Sequence, residues 1–594
     1  MSITKKTIRS TSGRLPITGL SLSAGVLLLA AGLLAKTPAL LAKKQGIPTN
    51  PQATATVPPT TFATWFQSGS PSLNGIVNPA NSITFPNNPG LANVDFYQWS
   101  YQMFLWATSP APATYGGGGG RVFNSPVFYD ISPPDAMNNR TFIPHTPGFI
   151  SFAALRAAQV GFHGLPVITS KKGTIFEVEK PKVMPSGRFL VRNSAGASVE
   201  VAKASIVRGK VRFTDAKGKT ISNARMMIQS NTPQSHIAQK ITINKKIVFF
   251  DFFGNVIDTE EGQADGGALL SQGGRLIYYI TMCNDVFAYM RTGAVDGGIT
   301  PAPTQFPTTQ AALDKITAYA ATKGKTFPDP EALAIELKSS WIEADSLPNA
   351  SQYITIKATI PTYDKSNPKH WVATGKTTKT LALIGMHVVG SAKGHPEMIW
   401  STFEHFGNTP DATYTYNATS GTNPHTITQN TVGSWLFCKS GATNPSANFN
   451  MAIQGASGAD IVAFGAANIG PTNTIRFKPW GSSNNQKPNP LISSVAASNT
   501  QILSMNNSVR GQLISGDVRK NYFFMGATWT AGGASPTGGF PTGNEVGTSQ
   551  LANSTMETFQ ITTSAFDSTN NCFFCHGSNQ VSVSHVYNHL KPLF

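Results

Sequence analysis

Alternating hydrophobic and polar positions are the commonest pattern along this chain. Short runs of that kind, many of them rich in β-branched residues, predict strands separated by Gly- and Lys-containing turns. The strongest are GTIFEVE, RFLVRN, SVEVAKASIV, KVRFTD, KITINKKIVFFDF, LIYYITM, QYITIKATIP and LALIGMHVVG. Strands are therefore expected to outnumber helices.

Three stretches predict helices instead. Residues 94–107 (VDFYQWSYQMFLWA) and 311–324 (AALDKITAYAATKG) repeat apolar side chains at helical spacing. Residues 329–345 (DPEALAIELKSSWIEAD) begin with Asp329 in an N-cap position and Pro330 at the first helical position. With the strand signals, these stretches predict an α+β chain that is β-rich.

Composition adds long irregular loops to this prediction. The chain has 54 glycines and 40 prolines, and only 13% of its residues are charged. Residues 43–550 are expected to form a β-rich α+β body, in which residues 171–222 form an inserted β subdomain. Residues 551–594 are expected to be a C-terminal segment packed on that body.

The N-terminal residues have the features of an export signal. Residues 1–16 contain four basic residues and no acid, residues 17–35 are apolar, and small residues follow. That order is typical of a secretory signal peptide, here residues 1–42, with an uncleaved membrane anchor as the alternative. After cleavage no transmembrane segment is expected, and the protein would be periplasmic or secreted.

The net charge of the chain limits the classes of binding partner that are expected. Removal of residues 1–42, which contain five bases and no acids, lowers the formal net charge from +17 to +12. No motif for phosphate or base recognition accompanies this charge, so no nucleic-acid partner is expected. A basic surface is suited to steering an acidic redox partner protein into contact.

The sequence NCFFCH near the C-terminus contains a recognisable chemical motif. Cys572, Cys575 and His576 form C-x-x-C-H, the attachment signature of c-type haem. The two thiols would each bind a vinyl group of one haem, and His576 would be the proximal ligand to its iron. Two alternatives are a zinc site completed by His585 and His589, and a redox disulfide. Export favours haem.

Two other cysteines, Cys283 and Cys438, are isolated in sequence. In an oxidising compartment they either form a disulfide or remain as two buried thiols.

Several blocks resemble a bacterial group of exported monohaem proteins, the cytochrome c family proteins. The resemblance is carried by LALIGMHVVGSAKGHPEMIWSTFEHFGNTPD (381–411), LANSTMETF (551–559), NCFFCH (571–576) and SHV (584–586). WSYQMFLWA (99–107) and VRKNYFFMGATW (518–529) resemble two further blocks, whereas SAKGHP (391–396) departs from the pattern. The resemblance implies a large exported protein with one covalent haem and no particular substrate.

The sixth iron ligand is open at this point. Candidates are Met556, His585, His405 and His387, all within or beside the matching blocks. Methionine would raise the reduction potential, whereas an open position would allow ligand chemistry. Glu404 and Glu557 are expected to orient histidines through the second ring nitrogen. Trp400, Trp435, Trp529, Phe573 and Phe574 either line a haem pocket or belong to the core.

These observations predict periplasmic electron transfer by an exported c-type cytochrome. The alternatives are a haem-dependent oxidoreductase acting on a small molecule, and a haem-based sensor or binding protein. The size of the body favours an enzyme, because a carrier needs little more than one small domain around its haem.

Overall fold

A computed structural model gives the fold within the unit Gly46–Phe594. It describes residues 56–594 except 86–91, 117–119, 133–138, 146–148, 152–156, 159–166, 170–174, 180–183, 185–187, 228–236, 244–245, 258–264, 417–421, 423–424, 430, 432, 443–449, 456–457, 464–467, 477–492, 538–543, 549–550, 552, 558–571 and 577–579. The signal peptide predicted for residues 1–42 lies outside the described residues. No helix in the part of the chain that is described has the length and hydropathy needed to cross a membrane.

The fold is β-rich α+β, as predicted. Its helices are α1 (Pro59–Thr64), α2 (Ala92–Thr108), α3 (Asp285–Val295), α4 (Gln310–Thr322), α5 (Ser493–Gln512) and α6 (Cys572–Cys575). Helices α2 and α4 confirm two of the three predicted helices. Helices α3 and α5 were not predicted; α3 begins after Asn284, whose side chain accepts a hydrogen bond from the backbone N–H of Phe287.

The strands fall into two groups along the chain. Those before α3 are β1 (Phe128–Ile131), β2 (Phe142–Pro144), β3 (Phe149–Ser151), β4 (Ala157–Ala158), β5 (Val167–Thr169), β6 (Ile175–Glu179), β7 (Leu190–Arg192), β8 (Ser198–Glu200), β9 (Lys203–Val207), β10 (Lys210–Thr214), β11 (Arg225–Met226), β12 (Ile237–Ile243), β13 (Lys246–Asp251), β14 (Val256–Ile257), β15 (Asp265–Ala268) and β16 (Ile277–Asn284). Those after it are β17 (Ile335–Glu343), β18 (Thr355–Asn367), β19 (His370–Ala392), β20 (His395–His405), β21 (Tyr414–Tyr416), β22 (His425–Ile427), β23 (Asn450–Gly455), β24 (Gly458–Ala463), β25 (Tyr522–Thr530) and β26 (Glu545–Gly547).

One 14-stranded, mainly antiparallel sheet organises the body. Its order is β2-β1-β16-β17-β19-β24-β23-β15-β4. Strands β18 and β20 also pair with β19, β3 pairs with β18, and β25 and β26 continue from β20. Strand β19 is 23 residues long, so its first half pairs with β18 and β24 while its second half pairs with β17 and β20. The second half contains the predicted strand LALIGMHVVG.

The helix predicted for residues 329–345 is wrong. Residues Pro330–Ala332 form one 3₁₀ turn, and Ile335–Glu343 form strand β17 between β16 and β19. Both faces of this strand are almost entirely buried, so its apolar residues show no clear period of two. Tertiary pairing overrides the local N-terminal helix signal of Asp329 and Pro330.

One face of the central strands packs against helices. Phe403 of β20 stacks on Phe104 of α2 with ring centroids 4.1 Å apart. Asn506 of α5 forms hydrogen bonds with strand β25 on this face. Its side chain accepts from the backbone N–H of Phe524 at 2.8 Å and donates to the backbone carbonyl of Phe524 at 2.7 Å. This face belongs to the largest hydrophobic cluster of the described residues.

The opposite face receives the C-terminal segment. Gly385 of β19 lies under the turn at residues 553–557, where a Cβ atom would stand 2.8 Å from the side chains of Asn553 and Ser340. The absence of a side chain therefore permits close packing of this turn on the sheet. Further along, Tyr587 and Leu590 join Val389 and Trp400 in a second hydrophobic cluster.

Smaller sheets occupy residues 167–257. Strands β5, β6, β12, β13 and β14 form a five-stranded sheet, β7, β8 and β11 a three-stranded one, and β9 and β10 a hairpin. Residues of β7, β10, β12 and β13 form a separate core that includes Val191, Phe213 and Phe250. The strands of this region thus extend beyond the subdomain predicted for residues 171–222, parts of which lie outside the described residues.

Substitution of Gly385 by alanine is expected to destabilise the fold. The added methyl group would overlap Asn553 and Ser340, which typically costs about 1–3 kcal/mol in a well-packed interior. Denaturant unfolding of the purified protein measures this change. Gly375→Ala in the same strand is the matched control, because the nearest neighbour of its Cβ is Thr362 at 3.6 Å. Equal effects of the two substitutions would contradict this account of Gly385.

Candidate functional site

The candidate site is where the C-terminal segment crosses the second face of the sheet. The short helix α6 contains Cys572 and ends at Cys575, and the N–H of His576 bonds the carbonyl of Cys572 at 2.8 Å. This single helical turn brings the first cysteine and the histidine to the same side of the chain. The side chains of Cys575 and Phe574 lie outside what the structure describes.

The ring of His576 is fixed by a backbone hydrogen bond. Its Nδ1–H donates to the carbonyl of Val583 at 3.0 Å, which selects the tautomer with a lone pair on Nε2. Burial lowers the pKa of His576 well below its ordinary value, and the neighbouring His585, Lys338 and His387 act in the same direction, against the bond to Val583. The imidazole is therefore neutral, which is the form that ligates metals.

Two rings contact His576. The ring of Trp400 on β20 lies 4.1 Å away between centroids, and that of His585 lies 4.0 Å away and nearly parallel, at 17°. The two imidazole rings are in direct stacking contact and leave no room for a bound group between them, although His585 is one of the predicted candidates for the sixth ligand.

The ring of His387 is also fixed by a hydrogen bond from one of its nitrogens. Its Nε2–H donates to the carboxylate of Glu557, with oxygens at 2.9 and 3.0 Å. Lys338, directly opposite His387 on β17, lies 3.9 Å from the same carboxylate. Burial alone would raise the pKa of Glu557, but His387, Lys338 and a backbone N–H of Asn553 together lower it. Glu557 thus fixes the ring of His387 through Nε2, and it leaves Nδ1 of His387 for another partner.

His405 and Met556 are elsewhere. His405 points to the helix-packed face, where its Nδ1 accepts from the N–H of Gly407 at 2.9 Å and its Nε2 lies 3.3 Å from the carbonyl of Gln352. Its ring stacks on Tyr353. Met556 is fully buried in a cluster with Tyr279 and Phe437, separate from the cluster that holds Trp400 and Phe573.

Glu404 links β20 to other segments instead of orienting His405. It accepts hydrogen bonds from the N–H and the hydroxyl of Ser554 and from the guanidinium of Arg476, and all three groups are buried. The carboxylate thus holds the turn at residues 553–557 over Gly385.

The other aromatic candidates separate in the same way. Phe573 lies in one cluster with Trp400, at a centroid distance of 6.2 Å. Trp529 packs against Phe96 of α2, and Trp435 belongs to a small cluster with Cys438. Cys283 and Cys438 are both buried free thiols in different clusters, so they do not form a disulfide.

The residues that hold the site were not apparent in the sequence. Ser584 donates to the buried carboxylate of Glu336 on β17 at 2.7 Å, which fixes the turn containing Val583 and His585. Residue 140 then pairs with the tail, through its N–H to the carbonyl of His589 and its carbonyl to the N–H of Lys591. The guanidinium of Arg291 donates to the carbonyls of Asn588 and Leu590, each at 3.0 Å.

No known family model, curated protein or solved structure matches this chain. The function is therefore inferred from the geometry of the site and the sequence motif.

Ser584→Ala is expected to loosen the tail. The substitution removes the hydroxyl donor of a buried carboxylate, at a cost of about 1–3 kcal/mol in the free energy of unfolding. Burial raises the pKa of Glu336, so the folded state holds this proton more tightly than the unfolded state, and stability is lost as the pH rises. The deficit of the variant should thus be larger at alkaline than at acidic pH.

Thermal unfolding at several pH values tests this expectation. Ser582→Ala is the matched control, because Ser582 only accepts a bond from the exposed Asn588. A Ser584→Ala variant as stable as this control at every pH would show that the Glu336 bond does not hold the tail.

Proposed function

We propose that this protein is an exported c-type cytochrome that transfers electrons in the periplasm or outside the cell. Cys572 and Cys575 would bind one haem covalently, and His576 would ligate its iron. The observation that carries the proposal is the bond from His576 Nδ1–H to the carbonyl of Val583, which leaves a neutral imidazole with a free Nε2 next to the C-x-x-C pair. Histidine ligands generally make such a bond with their second ring nitrogen.

We further propose His387 as the sixth ligand. It makes the same kind of bond through Nε2, here to a carboxylate, and it lies on the face of β19 that Gly385 and Val389 present to the C-terminal segment. A ligand held by Glu557 on a central strand is rigid. The haem would supply a one-electron iron couple. Two protein ligands would leave no open position at the iron, which favours electron transfer over chemistry on a bound molecule.

The chain would also shield the site and select a partner. Trp400 and Phe573 cover the region of His576 with apolar surface, which limits access of water. The net positive charge of the chain suits docking of an acidic redox protein by electrostatic steering.

Covalent haem attachment is expected to need both terminal cysteines. In a host with a c-type maturation system, wild-type protein should carry one haem that survives denaturing electrophoresis and gives a c-type α band when reduced. Cys572→Ala and Cys575→Ala should each abolish or strongly reduce this stain. Cys438→Ala, which alters a buried thiol in another cluster, is the control and should stain as wild type. The proposal would be refuted if both cysteine variants kept the haem stain. It would also be refuted if the wild-type protein carried no haem stain and bound zinc instead.

His387→Ala is expected to open the sixth coordination position. The reduced wild-type spectrum should be low-spin and unaffected by carbon monoxide, whereas the variant should bind carbon monoxide and become high-spin. His405→Ala is the control, since its ring points to the opposite face and is bonded to backbone groups. If instead His585→Ala or Met556→Ala opens the site, that residue is the sixth ligand. Carbon monoxide binding by wild type would favour the enzyme or sensor alternative.

A further inference from the structure

A cavity of about 450 Å³ lies among three loops that the proposed function does not use. It is lined by residues of the first described loop, of the loop after α2 and of the loop after α4, including Asn78, Thr114, Tyr115, Phe327 and Asp329. Its volume is in the range of sites that hold small molecules.

A hydrogen-bond relay fixes the polar part of the cavity. Nε1–H of Trp106 donates to the phenol oxygen of Tyr115 at 3.0 Å, and the phenol O–H donates to Oδ2 of Asp329. Tyr115 is buried, and both its donor and one of its acceptor positions are used. The other carboxylate oxygen, Oδ1, receives no hydrogen bond from the described residues, so it remains available to a ligand.

No cationic side chain in the described part of the chain compensates the charge of Asp329. Among the described residues, no lysine, arginine or histidine forms an ion pair with Asp329 or with Glu331 two residues on, although the chain has 46 lysines and arginines. Burial, with a smaller effect of Glu331, raises the pKa of Asp329 to about 6. At neutral pH the cavity therefore presents a partly buried anion to whatever enters it.

The rest of the lining is aromatic or uncharged. Phe327 and Tyr115 contribute ring surface, and Asn78 and Thr114 contribute polar groups without charge. Ring faces attract cations, and the negative charge of a carboxylate adds to that attraction whether or not the cation carries an N–H group. We propose that this cavity binds a small organic ammonium ion, with Asp329 as its counter-charge and Phe327 and Tyr115 as its walls.

Other ligand classes fit less well. A divalent metal needs several oxygen ligands, and Asp329 is the only carboxylate in the described lining. A neutral polyol would bond the polar groups but leave the buried charge without a partner. An anion would be repelled by Asp329.

Protonation of Asp329 removes the attraction. The titratable groups facing it are Tyr115 from the loop after α2 and Glu331 from its own turn, and the other described lining residues do not titrate. Affinity for a permanent cation should therefore be constant above neutral pH and fall as the pH is lowered through about 6.

Calorimetric titration of the full-length mature protein with choline chloride tests the proposal. The neutral isostere 3,3-dimethylbutan-1-ol and sodium chloride at equal ionic strength are the comparison titrants. Because its charge is attracted by Asp329 and by the ring faces, choline is expected to bind at least about tenfold more tightly than the neutral isostere. Asp329→Asn, which keeps an acceptor for Tyr115, should lose that preference, whereas Glu331→Gln in the same turn should keep it.

Every result of these titrations either supports or overturns the proposal. No choline binding, equal binding of the neutral isostere, or unchanged binding by Asp329→Asn would overturn the proposal. If Asp329→Asn fails to fold, as judged by circular dichroism, Phe327→Leu replaces it: this variant keeps the charge, and its choline affinity should fall several-fold with little change for the isostere. The result does not depend on haem, so failure here would leave the proposed function untouched.

Discussion

Successive residues of a strand point to opposite faces, and in β19 both faces are needed. Met386 and Val388 belong to the helix-packed core, while Gly385, His387 and Val389 face the C-terminal segment. A shift of one residue in register would exchange these sets, placing His387 in an apolar core and bulky side chains under the turn at residues 553–557. The register with β17 and β20 is thus the constraint on which both the core and the site depend.

The elements that sequence analysis found are those with a strong local signal. Helix α2 repeats its aromatic residues at helical spacing, and the second half of β19 is rich in β-branched and apolar residues. Strand β17 was assigned as a helix because Asp329 and Pro330 form a good N-terminal signal, and because a strand buried on both faces loses its alternation. Helix α5 is polar along much of its length, which explains its weak signal.

The residues of the candidate site also divide into those that a local sequence motif reveals and those that only the fold brings together. Cys572, Cys575 and His576 are adjacent in sequence, so the motif is visible without a fold. Their supports are not, because Ser584 and Glu336 are 248 positions apart and His387 and Glu557 are 170 apart. Nothing local in EALAIELKSSW marks Glu336 and Lys338 as neighbours of a C-terminal histidine. The choice among the four candidate sixth ligands likewise needs the fold. His387 and His405 differ in the face of the sheet to which their side chains point, and the sequence alone does not show this.

The pairing of residue 140 with the tail has a consequence for motion. The tail from Val583 to Leu593 is held by a backbone pairing, by the guanidinium of Arg291, by a buried carboxylate and by the hydroxyl of Thr292. These anchors come from three separate parts of the body, so the tail cannot fray residue by residue as most chain ends do. Amide protons of this segment would exchange only when the adjoining part of the sheet opens with it, and His576 would keep its orientation for as long as that sheet stays closed.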